Sequence, residues 1–334
     1  MFMRALITGI GGQDGTLLKS ILLQKNFAVF GVLRPKKQIE LNWKNSLIRS
    51  LIEKNQEIDI EIDLSDSKLC NTYLNITKPD RIFHLAAVHA PAIEMKSIEN
   101  RKSHDMYKCH VAITQNLMEW VKLNKQTRIV VALTSQMYSP SKFFHKITEN
   151  NSTLPQNLYA KTKLEGFTIL KKYRQEFGLF ANGLILFNHT SAIAKPNYLF
   201  SEIARQIVEF KNKEKTHITI QNALQKIDMC DASEVCDAMY RAIESDFPKD
   251  YIISSGKLKS IESIIVEAAH LLKIELSKKN IISLQKQKKS NYTYGDPTKA
   301  FRELGWRATK TPAQILGEMV SFYISNGDSW NKNI

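Results

Sequence analysis

The stretch RALITGIGGQDGTLL, residues 4–18, decides the fold. Met3–Ile10 reads as a short apolar strand, and Leu17, Leu18, Ile21 and Leu22 that follow repeat at helical spacing. Between them Gly9, Gly12 and Gly15 make G-x-x-G-x-x-G. Small residues let the backbone turn tightly and approach a pyrophosphate, and the next helix presents its N–H groups to it. Glycines alone are a weak signal; at the first strand–helix turn they are a strong one. This is a dinucleotide-binding turn.

The rhythm continues outward. Apolar strand-like runs fall at Ala28–Leu33, Glu57–Ile62, Arg81–Ala87, Arg128–Leu133 and Phe180–Phe187, with helical patterns at His110–Leu123 and Leu158–Phe177. Strand alternating with helix predicts an α/β fold: a Rossmann doubly wound parallel sheet covered on both faces. Past Asn188 the pattern becomes mixed, with helical spacing over Phe200–Phe210, Glu234–Glu244, Ser260–Leu272 and Thr311–Ile324. The expected organisation is a Rossmann domain over 1–187, rejoined by about 228–255, and a smaller mixed α/β C-terminal substrate lobe from 188–227 and 256–334.

The second strand ends in Leu33-Arg34-Pro35-Lys36-Lys37. An NAD site usually places an acid there to hold the ribose 2′-hydroxyl. Arg34 suits a 2′-phosphate instead, so NADP is favoured over NAD. Asp63 and Leu64 are expected against adenine, and Leu85, Ala86 and Ala87 along the cofactor channel at the carboxyl edge of the sheet.

Tyr159 and Lys163 are four apart and share a helix face. An ammonium beside a phenol favours the phenolate. Tyr159 can then act as base for a sugar hydroxyl or acid for a ketone, while the carbon exchanges hydride with nicotinamide. Thr134, ending the preceding strand, is placed to share the hydroxyl's hydrogen bond.

The 334 residues carry 43% hydrophobic and 24% charged residues, a globular balance. The net charge of +14 is spread over the chain, which reads as a lysine-rich solvated surface together with binding of phosphorylated small molecules. No nucleic-acid module and no apolar run of membrane-spanning length is visible, and the start leaves no room for a signal peptide. Cys70, Cys109, Cys230 and Cys236 form no CxxC and read as reduced thiols, so a cytoplasmic protein is expected.

The whole resembles the extended short-chain dehydrogenase/reductases, and within them the GDP-mannose 4,6-dehydratase family. ALITGIGGQDG (5–15), FHLAAVHA (83–90), NLYAKTKLEG (157–166), GLILFNHTS (183–191) and YTYGDPTKAFRELGWRATKT (292–311) carry the likeness nearly end to end. It implies that Gln13 and Asp14 join the cofactor turn. It implies that the loop holding Leu186, Asn188 and His189 reaches nicotinamide and sugar, with Asn188 at the substrate phosphates. It also implies a GDP-linked sugar substrate and a homodimer or homotetramer joined through the 104–124 and 158–177 helices.

The match breaks at Gln136. Dehydratases of the family carry Thr-Ser-Glu where this chain has Thr134-Ser135-Gln136. Their glutamate takes the C5 proton during water loss; an amide can only donate and accept hydrogen bonds. Losing a general base costs roughly 10²–10⁴-fold. C4 redox needs only Thr134, Tyr159, Lys163 and the cofactor, with Ser135 and Gln136 left to contact the sugar. His89, His145 and His189 are the candidate substitute bases. In the substrate lobe a family arginine is replaced by Ser201, with Arg205 four residues on. Lys-Arg-Asp becomes Lys226-Ile227-Asp228, and Lys286 and Lys289 stand where an arginine and a glutamate grip pyrophosphate and ribose. The first expectation is therefore an NADP-dependent 4-keto reductase, 4-dehydrogenase or 4-epimerase acting on a GDP-hexose or GDP-heptose. A 4,6-dehydratase with a substitute base and a catalytically idle nucleotide-binding scaffold are the alternatives.

Overall fold

A computed structural model describes residues 2–35, 58–88, 103–138, 145–285 and 292–326. The chain forms two compact units. One takes in the described residues of Met1–Ser139, Ser152–Ile185 and Cys236–Tyr251; the other those of Pro140–Asn151, Leu186–Val235 and Ile252–Ile334.

The seven-stranded parallel sheet runs, edge to edge, Tyr251–Ile253, Ala181–Leu186, Arg128–Thr134, Arg81–His84, Arg4–Thr8, Ala28–Leu33, Ile58–Glu61. The first strand pairs in parallel with Ala28–Leu33 on one side and Arg81–His84 on the other. That is the doubly wound order, with its reversal point between the first and fourth strands. Ala5, Leu6, Ile7, Ile82, Phe83, Ile129 and Val130 are fully buried, as strands covered on both faces must be. Burying each large apolar side chain contributes about 1.5–3 kcal/mol before chain entropy is counted.

The Cys236–Tyr251 segment joins this unit through polar contacts. Arg81 grips Glu244 through Nε (2.6 Å) and Nη2 (3.1 Å). Arg174 forks onto Asp250 at 2.8 and 2.6 Å, and Asn182 Oδ1 accepts from the Lys249 N–H. Bidentate arginine–carboxylate pairs of this kind fix geometry as well as supplying energy.

The second unit has its own core. Phe200, Ile203, Ile207, Ile218, Ile264, Ile265, Leu316, Met319 and Val320 interlock the helices Leu199–Lys211, Ile261–Leu271 and Pro312–Asn326. Short parallel strand pairs complete it: Asn188–Thr190 with Met229–Asp231, Ile218–Ile220 with Ile281–Ser283, and His145–Ile147 with Thr293–Gly295. The last pairing is why residues 145–151, which lie between Rossmann elements in the chain, cluster with this unit. Asp228 is its polar pin. The buried carboxylate accepts from the N–H groups of Ser255 (2.8 Å), Gly256 (3.3 Å) and Gly295 (3.1 Å), while burial pushes its pKa up.

Candidate active site

The glycine turn has the shape a dinucleotide needs. Gly9 adopts φ +78°, and a Cβ there would lie 2.9 Å from the Ala86 backbone. A Cβ on Gly15 would lie 2.5 Å from the Gly9 carbonyl oxygen. Side chains at either place would fill the cradle, so the sequence leaves them out. Gly12 heads the Gln13–Gln24 helix and offers no side-chain cap, so the positive end of that helix opens at the glycine turn. Gln13 and Asp14 sit at its first turn, joined by an Nε2–Oδ1 hydrogen bond of 3.0 Å. The residues present therefore fit a pyrophosphate.

The flanks agree. Leu85–Ala87 follow the fourth strand, next to the turn; Thr8 Oγ1 accepts from the Ala86 N–H at 3.1 Å. Asp63 is held by Ser65 (2.9 Å to N, 2.6 Å to Oγ) and faces Lys108 at 3.8 Å. Leu64 is buried, and its carbonyl takes the Asn116 amide at 2.9 Å. Arg34 directly follows the second strand, with its guanidinium 2.7 Å from Asp105, a partner 71 residues away that sequence reasoning did not supply.

The chemical set lies in the same unit. Asn157 caps the Leu158–Phe177 helix, and Gly178 ends it at φ +63°. Tyr159 is buried and packed with Val88 and Met106. Its ring and that of His110 stand T-shaped, with centroids 5.3 Å apart and planes at 83°. Lys163 is buried, and its Nζ donates to the Ala132 carbonyl at 2.8 Å. Burial lowers its pKa to about 8, which still leaves an ammonium at neutral pH. Thr134 ends the Arg128–Thr134 strand, and its Oγ1 takes the Gln136 N–H at 3.3 Å. Ser135 opens the short turn that follows, and Gln136 is exposed with Oε1 accepting from Asn157 Nδ2 at 3.0 Å.

Three contributors were not singled out from the sequence: Asn157, His110 and Asp105. Asn157 carried a signal, a capping residue directly before the Tyr–Lys helix. His110 and Asp105 carried none, because their roles arise from contacts across the fold. His110 sits in a π-helical turn, Lys108–Ala112, an irregularity common at functional sites. Its Nε2 accepts from the Val88 N–H (3.2 Å), so Nδ1 carries the proton toward Thr162 Oγ1 (2.8 Å).

The other described residues singled out from the sequence belong to the second unit. Leu186 is buried there, and Asn188 donates to the Asp228 carbonyl at 3.1 Å. His189 Nδ1 lies 2.8 Å from the Phe187 carbonyl, and His145 is exposed. Arg205 is occupied by Glu202 and Glu209 of its own helix. The Lys226 ammonium lies over the Tyr292 ring. Lys286, Lys289 and His89 lie outside the described residues. Among the described residues no group of acids, histidines and cysteines could hold a metal, and no helix is long and apolar enough to cross a membrane.

The doubly wound sheet and the family match below put the chain among the nucleotide-sugar-modifying short-chain dehydrogenase/reductases. More narrowly, the chain belongs to the GDP-mannose 4,6 dehydratase family, whose model matches residues 6–319. GDP-mannose 4,6 dehydratase 2 of Caenorhabditis elegans is 26% identical over 341 residues, covering 95% of this chain and 88% of that protein. The fold matches dTDP-glucose 4,6-dehydratase of Bacillus anthracis, solved with NAD, at TM-score 0.78 and 19% identity over 99% of both chains. It matches RMD of Pseudomonas aeruginosa, solved with NADPH, at TM-score 0.76 and 18% identity over 97% of this chain and 99% of that one.

Proposed function

We propose that the protein exchanges hydride at C4 of a GDP-linked hexose or heptose without eliminating water. The observation that carries this reading is the presence of Thr134, Tyr159 and Lys163 together with a neutral amide, Gln136, at the position where elimination requires a base. A nicotinamide cofactor, when bound, supplies the hydride donor or acceptor. Tyr159 moves the proton of the C4 oxygen, and the Lys163 ammonium favours its phenolate form. Thr134 Oγ1 shares the hydrogen bond to that oxygen. Gln136 holds a sugar oxygen and leaves the C5 proton alone.

The cofactor in this reading is NADP, supported by Arg34 at the end of the second strand. The relative solved with NADPH and the one solved with NAD make a nicotinamide dinucleotide the common factor. The substrate lobe of this reading contributes Asn188, Lys226 and Lys286. Arg205 reaches a substrate phosphate only by leaving Glu202 and Glu209.

The names of the relatives favour a second reading, a 4,6-dehydratase using a substitute base. One experiment separates the two. The protein is given GDP-mannose, GDP-manno-heptose and their 4-keto forms with NADP(H), absorbance is followed at 340 nm, and products are weighed by mass spectrometry. Reduction, oxidation or epimerisation at C4 with mass otherwise unchanged is expected. A product lighter by one water, with solvent deuterium at C5, overturns the first reading for the second.

A further inference from the structure

Hydrogen-bond bookkeeping around Gln136 fixes which end of its amide faces outward. Asn157 caps the Leu158–Phe177 helix, with Oδ1 accepting from the Ala160 N–H at 2.8 Å. An NH₂ group cannot accept from a backbone N–H, so this bond settles which atom of the Asn157 amide is oxygen. The other atom, Nδ2, therefore faces Gln136 and donates to its Oε1 at 3.0 Å. The Gln136 backbone N–H is already engaged by Thr134 Oγ1. The side-chain oxygen is thus committed inward, and Nε2, a pure donor, is the end presented on an exposed residue.

We infer that Asn157 is a positioning residue that sets the polarity of Gln136, so that the site offers an N–H donor to its substrate. The substrate group read at this point is a hydrogen-bond acceptor, such as a ketone oxygen or the lone pair of a hydroxyl. The identification of that group with a sugar oxygen rests on the C4 reading above; the polarity of the amide does not. A carboxylate at 136 would accept the same Asn157 Nδ2–H. The local frame is therefore indifferent to Gln or Glu, and the chemistry alone distinguishes them.

The test is Asn157→Asp. Aspartate caps a helix as well as asparagine does, so the helix start is retained. Its free oxygen can only accept, which forces Gln136 to turn its Nε2 inward and present Oε1. In protein labelled with ¹⁵N-glutamine, the Gln136 side-chain pair is identified by its loss in Gln136→Glu. That pair is expected to move downfield and exchange more slowly in Asn157→Asp. Reduction of the 4-keto substrate is expected to lose roughly three- to tenfold in kcat/KM, the worth of one hydrogen bond, at unchanged melting temperature. Asn157→Ser keeps a cap and removes the donor, so the pair should shift toward rotamer-averaged values. Unchanged Gln136 resonances in both variants overturn the inference and leave Asn157 a helix cap only. Shifted resonances in a protein that performs no C4 chemistry keep the inference and overturn the C4 reading.

Discussion

Lys163 Nζ donates to the Ala132 carbonyl at 2.8 Å from a buried position, and burial lowers its pKa from 10.5 to about 8. The same interior lowers His84 to about 3, through burial first and Lys163 second. Folding thus shifts both bases toward the neutral form, although Lys163 is still an ammonium at pH 7. Between about 8 and 10.5 the unfolded chain holds a proton on Lys163 that the folded chain has released, so stability rises with pH across that window. Between about 3 and 6.5 the same holds for His84, so stability is lost as pH falls below 6.5. Lys163→Met should flatten the upper slope and raise stability by about 1–2 kcal/mol at pH 7, less than the shift implies because the Ala132 carbonyl loses its donor. Hydride transfer should be abolished. Melting temperature against pH for the two proteins is the check, and a destabilised Lys163→Met at pH 7 would contradict the prediction.

Arg34 faces Asp105 at 2.7 Å where a 2′-phosphate is proposed to bind. The carboxylate competes with a phosphate for the guanidinium fork. Asp105→Asn should therefore raise the preference for NADP over NAD by roughly tenfold. Arg34→Ala should weaken NADP by a similar factor and leave NAD nearly unchanged. Fluorescence titration of both nucleotides measures this. Because the pair is exposed, the differences should shrink in high salt.

Much of this was readable from periodicity. The strand–glycine–helix opening, the alternation through Phe187 and the Leu158–Phe177 helix are local patterns, and the sheet follows from their order. Tyr159 and Lys163 could be singled out because they are four apart, and Gln136 because it stands two places after Thr134 at a strand end. The Arg34–Asp105 pair, the Ala132 carbonyl under Lys163 and the His110 contacts were not. They join residues tens of positions apart, and nothing in a window of sequence registers them. The pairing of His145–Ile147 with Thr293–Gly295 escaped for the same reason.

His110 links the Val88 N–H and Thr162 Oγ1 beneath the Tyr159 ring. His110→Phe keeps an aromatic edge against Tyr159 but leaves a buried Val88 N–H unmatched. It should cost about 1–3 kcal/mol in stability. If His110 positions Tyr159, kcat should fall with KM little changed, and the pH–rate profile should shift. His110→Gln, which can restore the acceptor to Val88, should recover part of both. An unaltered pH–rate profile in His110→Phe would reduce the residue to packing alone.

Two helical glycines make opposite predictions. At Gly166 a Cβ would lie 2.4 Å from the His110 carbonyl oxygen, in the helix that carries Tyr159 and Lys163. At Gly317 a Cβ would meet nothing within 4 Å, in the middle of the Pro312–Asn326 helix. Alanine restricts the unfolded chain and favours the helix at either position, by about 0.5–1 kcal/mol. At Gly317 that gain should appear as a higher melting temperature. At Gly166 it should be outweighed by about 1–3 kcal/mol of overpacking, since the obstacle is backbone and cannot swing aside. The displaced segment carries His110, so Gly166→Ala should also slow hydride transfer, whereas Gly317→Ala should leave it untouched. Thermal melts and single-turnover rates on the two variants decide whether the close approach at Gly166 is what seats the Tyr–Lys helix.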